Sequence, residues 1–196
     1  MKKFLAIIIL NFFFITPSQA DDIRDFQIED LSIGTSLLKY MTEEEIKNNQ
    51  FFHPKLKERD EYIHVNVTKT FETYDAVEVS IKKNDNKYIV EGISGSIIGK
   101  SDLEFKKQYK ILVKELKNFF ANTKVKSFED NQKMNWDKSG ETKYTRTAFY
   151  FPNSKYANIT VTYITVGQSY KDQFSDSVGV NIDSDKINDY KMRVGY

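Results

Sequence analysis

From Tyr62 onward the apolar positions fall at every second residue. Ile63, Val65 and Val67 alternate with His64, Asn66 and Thr68, and Val77, Val79 and Ile81 alternate with Glu78, Ser80 and Lys82. A period of two places successive side chains on opposite faces of a strand, one face dry and the other wet. Asn84, Asp85 and Asn86 supply turn chemistry, and Tyr88 to Ile93 returns as a third strand. This section predicts an antiparallel meander of three strands with one polar face.

The period then changes. Phe105, Tyr109, Leu112, Leu116 and Phe119 recur at steps of three or four, with Lys106, Lys107, Lys110, Lys114 and Lys117 largely elsewhere. That is the stripe of an amphipathic helix lying on a core. Ser101 with Glu104 three residues later forms a capping box, in which each side chain satisfies the other residue's backbone N–H. The helix is therefore expected to start just after Ser101.

The last third alternates again. Tyr144 to Phe151 and Asn158 to Val166 flank Pro152, Asn153, Ser154 and Lys155, which reads as a hairpin. Asp137 to Gly140 is an earlier turn, reached from a strand around Val125 to Trp136, and Val178, Val180 and Ile182 mark one more strand. Asp183 to Val194 reads as a closing helix with Ile187 and Tyr190 inward. Strand–strand–strand–helix thus occurs about twice, without a residue-level repeat.

Before Tyr62 the chain is polar and punctuated. Thr35 to Tyr40, entered through Ile33 and Gly34, predicts one short helix. Thr42 and Glu45 form a second capping box that starts another, running through Ile46 and ending near Asn48 and Asn49. His53 and Pro54 end any helical pattern, and Lys55 to Glu61 reads as a charged linker. The expected fold class is α+β: a mostly antiparallel sheet of about six or seven strands, covered by one long central helix, with two short N-terminal helices. Residues 21–61 form the short helical N-terminal segment, and residues 62–196 the α+β domain continuous with it.

The first twenty residues stand apart. Met1, Lys2 and Lys3 are followed by Phe4 to Ile15, apolar except for Asn11, and then by Thr16-Pro17 and the small residues Ser18 and Ala20 around Gln19. This is the pattern of a cleavable secretory signal peptide, with cleavage expected after Ala20. A membrane span needs about 20 apolar residues, and this run is shorter. No cysteine is present to carry a lipid anchor or a disulfide. Removing twenty residues from 196 leaves 176, a length typical of one domain. With Lys2 and Lys3 gone, 27 basic residues face 28 acidic ones, a balance that excludes the strong basic excess usual for nucleic-acid binding. Only four of the basic residues are arginine (Arg24, Arg59, Arg146 and Arg193), so a bidentate carboxylate or phosphate clamp is disfavoured as well. Twelve tyrosines against one tryptophan fit strand preference before they fit a binding surface.

Several motifs resemble chemistry. Ser94 to Ser101 imitates a phosphate-binding loop, but Ser94 replaces its first glycine and Ile97 and Ile98 have strand character; Ser101 is read as a helix cap. His53 and His64 are the only histidines, without metal-ligand spacing. Asp183-Ser184-Asp185 opens like a calcium loop, but Ile187 stands at a ligand position and the turn glycine is missing. No metal or cofactor is expected. Gly92-Ile93-Ser94-Gly95 misses the nucleophile elbow by one place. His64, on the polar face of its strand, is the one candidate general base, and is read first as a solvated surface histidine. Glu43, Glu44 and Glu45 read as acidic residues favoured at a helix start. Tyr190, Met192, Val194 and Tyr196 alternate like a strand of an outer-membrane barrel, an alternative that the long lysine-bearing helix opposes.

The run Asp25-Phe26-Gln27-Ile28-Glu29-Asp30-Leu31-Ser32-Ile33-Gly34-Thr35-Ser36-Leu37-Leu38, with Tyr40, the Thr42 to Ile46 helix, Lys87-Tyr88-Ile89-Val90 and the helix after Gly99, resembles a group of small exported proteins of marine alphaproteobacteria with AT-rich genomes. Many of that group carry a cysteine near the start of the long helix, which this chain lacks. The resemblance implies export and no particular activity or site. In element order, and in the Ile33-Gly34 approach to the first helix, the chain is also similar to small outer-membrane assembly lipoproteins, whose lipid-anchor cysteine it lacks.

Together these readings lead to a soluble periplasmic or secreted binding or accessory protein, non-catalytic, with a protein, peptide or small-molecule partner. Neither nucleic acid nor a stable membrane anchor is expected. A periplasmic hydrolase using carboxylates or His64 is the alternative, and it gains if His64 and two or more carboxylates converge in one pocket. The catalytic residues of such an enzyme are not identifiable from the sequence.

Overall fold

Alternating segments of the chain become neighbouring strands in the computed structural model, which describes residues 22–51, 60–134, 137–172 and 174–194. The signal-peptide reading, His53, Pro54, most of the charged linker, Trp136 and Tyr196 lie outside the described residues. A two-residue hairpin, β1 (Gln27–Ile28) with β2 (Leu31–Ser32), precedes the main sheet. That sheet holds β3 (Gln50–Phe51), β4 (Tyr62–Asn66), β5 (Ala76–Lys82), β6 (Val90–Ile97), β7 (Lys126–Lys133), β8 (Lys143–Tyr150), β9 (Asn158–Thr165) and β10 (Ser177–Asp183). Its order is β3-β4-β5-β6-β10-β9-β8-β7, and every pairing is antiparallel. Eight strands replace the expected six or seven, because Gln50 and Phe51 add a short edge strand to β4.

Among the described residues three α-helices accompany the sheet: α1 (Glu43–Asn48), α2 (Asp102–Phe119) and α3 (Asp185–Val194). Both capping boxes form, Thr42 with Glu45 at α1 and Ser101 with Glu104 at α2. The first of the two expected N-terminal helices does not form as an α-helix; Leu37–Lys39 is a single 3-10 turn. The cause lies outside the segment. Gly34 N–H donates to Val90 O at 2.8 Å, Leu37 N–H to Tyr88 O at 2.9 Å and Ser36 Oγ to Lys87 O at 2.7 Å. These bonds hold residues 34–37 alongside the approach to β6, and leave too few free residues for a helix to propagate. Tyr88, at φ +50°, closes the preceding turn, so β6 starts at Val90 rather than at Tyr88.

The main core occupies one face of the sheet. Ile63, Val65, Val77, Val79, Ile93, Val178, Val180, Ile159, Val161 and Phe149 point into it. The α2 stripe, Phe105, Tyr109, Leu112 and Leu116 with Val113, packs on the β9 and β10 side. Burying each such side chain contributes roughly 1.5–3 kcal/mol. Tyr109 Oη meets Thr147 Oγ1 of β8 at 2.7 Å, which satisfies both hydroxyls in the core. Contrary to the pattern read from the sequence, α2 alone does not cover this face. The N-terminal segment supplies the rest of the cover through Phe26, Ile28, Leu31, Ile33, Leu37 and Ile46. Phe26 joins the two covers, with its ring 5.7 Å from Phe119, 5.5 Å from Phe120 and 5.4 Å from Phe151.

The α3 helix lies on the other face. Its Ile187 and Tyr190 pack with Tyr62, the strand neighbour of Ile63 and therefore turned to the opposite side. The helices that follow β6 and β10 thus sit on opposite faces, so the repeated element order in the sequence is not a structural repeat. Because 185–194 is helical, the alternation of Tyr190, Met192 and Val194 is not that of a barrel strand.

Candidate functional site

On the α3 side the sheet carries small and polar side chains, and the ladder lines them up across strands. His64 is directly opposite Ser80, Ser80 opposite Gly92, and Gly92 opposite Asp183. One step along, Glu78 faces Ser94, and Ser94 faces Asn181. Gly92 leaves the floor open: a Cβ there would meet Asp183 Oδ1 at 3.0 Å and Ser80 at 3.3 Å. A β-bulge between Ser80 and Ile81 shifts the register beside the same point, as bulges do where a sheet re-aims side chains.

The α3 helix forms the wall. Ser184 Oγ donates to Glu91 at 2.8 Å and accepts from Ile187 N–H at 3.4 Å, which starts the helix over the sheet. Lys186 Nζ reaches Glu91 at 2.6 Å. One and a half turns later, Lys191 Nζ bonds both oxygens of Asp183, at 2.9 and 2.8 Å. The result is a cavity of about 140 Å³ lined by His64, Glu78, Ser80, Ser94, Asn181, Asp183 and Lys191, with Ile93 at its base.

His64 is not the solvated surface histidine that its place on a polar strand face predicts. Its side chain is only 13% exposed, and its Nδ1 lies 3.0 Å from Ser80 Oγ. Behind it sits Asp60, with a fully buried side chain. Asp60 Oδ1 accepts from Tyr62 N–H at 3.1 Å and from Tyr190 Oη at 2.6 Å. Burial, together with the hydrogen bond to Asp60, pushes the Tyr190 hydroxyl up to about 12, so it stays a donor throughout the physiological range. Among the described residues Asp60 Oδ2 accepts no hydrogen bond, and it stands 4.0 Å from His64 Nε2, beyond hydrogen-bond reach.

The arrangement can be compared with what acyl transfer needs. A hydroxyl beside a histidine nitrogen is present, and a carboxylate lies on the far side of the ring. The ladder on both sides of β5 engages its backbone N–H groups, so the donors available to a developing oxyanion are the side chains of Asn181 and Lys191 in the same cavity. What the cavity does hold is spare hydrogen-bonding capacity. Asp183 is matched by Lys191, whereas among the described residues Glu78, Ser94 and Asn181 make no side-chain hydrogen bond or ion pair. Burial raises the Glu78 carboxyl above the usual carboxylate range.

The other sequence candidates serve structure. Ser94 to Ile97 are strand residues of β6 and Ser101 caps α2, so no phosphate cradle forms, and Gly92 to Gly95 make no elbow. Asp185 Oδ1 holds the β8–β9 loop by accepting from Ser154 Oγ at 2.7 Å and from the N–H groups of Tyr156 and Ala157. Glu45 serves the α1 capping box, and Glu43 bonds Lys47 and Tyr88. Among the described residues no group of three or more His, Asp or Glu is placed to hold a metal ion. Sequence reasoning found His64, singled out Ser94 and Asp183 for other chemistry, and missed Ser80, Glu78, Asn181, Lys191 and Asp60. Strand alternation puts Glu78 and Ser80 on one face, yet nothing local sets the register that joins them to His64 or Asp183. No family model, curated protein or solved structure matches this chain.

Proposed function

We propose that the protein is an exported, non-catalytic binding protein of the cell envelope whose ligand site is the polar cavity beside α3. The observation that carries this reading is a set of three polar side chains in one cavity, Glu78, Ser94 and Asn181, that have no partner among the described residues. Glu91, Asp137 and Asp185, by contrast, are matched within the protein. A recess whose polar groups are left for an outside partner is the common form of a ligand site. Export rests on the leader pattern of residues 1–20, and the absence of cysteine fits a domain held by packing and hydrogen bonds alone.

The test is an NMR titration of the mature chain with a set of small polar fragments, run beside a screen of ester, phosphoester and peptide substrates. Saturable shifts at Ser94 and Asn181 without turnover are expected. Mass spectrometry of the exported protein should find Asp21 as the first residue.

A second reading, a hydrolase using His64, is favoured by one contact: the 3.0 Å approach of Ser80 Oγ to His64 Nδ1. With Glu78 and Asp183, two carboxylates share the cavity with His64. In that reading Ser80 Oγ attacks an acyl carbon, His64 takes its proton and returns it to the leaving group, and water then releases the acyl group. Turnover that disappears in Ser80→Ala and His64→Gln would establish the hydrolase and overturn the binding protein.

A further inference from the structure

We infer that the cavity takes a primary ammonium group on an alkyl stem, with Glu78 as its counter-ion and Ser94 and Asn181 as neighbouring acceptors. This inference rests on the binding reading above and names its ligand class.

Charge decides the sign of the ligand. Of the carboxylates around the recess, Asp183 is matched by Lys191 through both oxygens and Glu91 by Lys186. Glu78 is half-buried and has no hydrogen-bond or ion-pair partner among the described residues. A half-buried carboxylate without a cation is unfavourable when empty and becomes favourable once a cation enters. An anionic ligand would add a second uncompensated negative charge to the same space.

Geometry decides the shape. Glu78, Ser94 and Asn181 occupy directly opposed positions on β5, β6 and β10. Neighbouring strands lie about 4.8 Å apart, so three acceptors follow one another across the floor. An ammonium carries three donors that rotate freely on its stem and can suit acceptors that do not share a plane. The planar fork of a guanidinium suits a single bidentate carboxylate instead. Size points the same way. At about 140 Å³ the cavity is smaller than the several hundred Å³ of a whole-ligand pocket. It admits the end of a molecule, so the rest of the ligand lies over the open sheet face.

Two sources offer this chemistry, a free alkylamine and a lysine side chain of a peptide. The mature chain is titrated with butylammonium chloride and with Nα-acetyl-lysine methylamide at constant ionic strength, and the side-chain signals of Asn181 and Ser94 are followed. Acetate, ethylene glycol and methylguanidinium serve as comparisons. Saturable shifts with the ammonium probes are expected. Glu78→Gln should weaken them at least about tenfold through loss of a charge-assisted hydrogen bond, and Glu115→Gln on α2 should leave them unchanged. A melting temperature for each variant establishes that it is folded. Tighter binding of the lysine derivative assigns the group to a peptide, and tighter binding of butylammonium assigns it to a free amine.

The inference is overturned if Glu78→Gln binds the ammonium probes as well as the natural chain does. It is also overturned if acetate or methylguanidinium shifts the same signals with equal affinity, or if no ammonium probe shifts them. Binding of ethylene glycol or acetate at Ser94 and Asn181 would sink the ammonium assignment and leave the binding protein standing. Turnover dependent on Ser80 would sink the binding protein itself.

Discussion

Ser80 Oγ stands 3.0 Å from Nδ1 of His64, directly across the ladder between β4 and β5. Both side chains are largely withdrawn from water, so the contact is structural whatever chemistry is built on it. A hydrogen bond of this kind contributes about 0.5–1.5 kcal/mol net. Ser80→Ala and His64→Phe should therefore show a coupling energy of that order in a double-mutant cycle read by urea unfolding. Additive effects would mean that the two groups do not interact in solution.

The capping box at Ser101 offers a cleaner measurement because it is remote from the cavity. Ser101 Oγ accepts from Glu104 N–H at 3.4 Å, and the Glu104 carboxylate accepts from Ser101 N–H at 3.0 Å. Ser101→Ala should cost roughly 0.5–2 kcal/mol and Ser101→Asp much less. Equal stability of the alanine variant and the natural chain would contradict the cap.

On the core face, Gly95 is held by close approach. A Cβ at this position would meet the Tyr74 ring at 2.7–2.8 Å, with three ring atoms that cannot all move aside. Gly95→Ala should lose about 1–3 kcal/mol through overpacking. Tyr74→Leu in the same background should restore part of that loss, and a further loss on adding it would contradict the steric cause.

Acid should weaken the fold through Asp137. Burial pushes its carboxyl up, but hydrogen bonds from Ser139 and Thr142, side chain and backbone together, outweigh it and hold the group far below the usual carboxylate range. A depressed folded value means stability that is present above the unfolded value of 3.8 and is lost as pH falls towards the folded one. Asp137→Asn should thus melt below the natural chain at pH 7, with the gap narrowing as pH falls below about 4. A gap independent of pH would remove the ionised carboxylate as its cause.

Comparing these residues shows how far the sequence reaches. The stripe Phe105, Tyr109, Leu112 and Leu116, the two capping boxes, the β8–β9 hairpin and the inward Ile187 and Tyr190 were legible because each depends on residues within a turn or two of one another. Periodicity, caps and turn chemistry are local, so the amino-acid order by itself determined an α+β chain with an antiparallel sheet. The 3-10 turn at Leu37 escaped because its backbone is claimed by residues 87–90, about fifty positions away. The cavity escaped for the same reason. His64, Ser80, Asp183 and Lys191 come from two separate meanders and the last helix, and they meet only because β6 pairs with β10 and α3 folds back over that junction. Register between distant strands is set by the packing of the whole core, and a slip of one residue would turn every one of these side chains to the other face. That is why the elements could be read from the chain, while the site belongs to the tertiary structure.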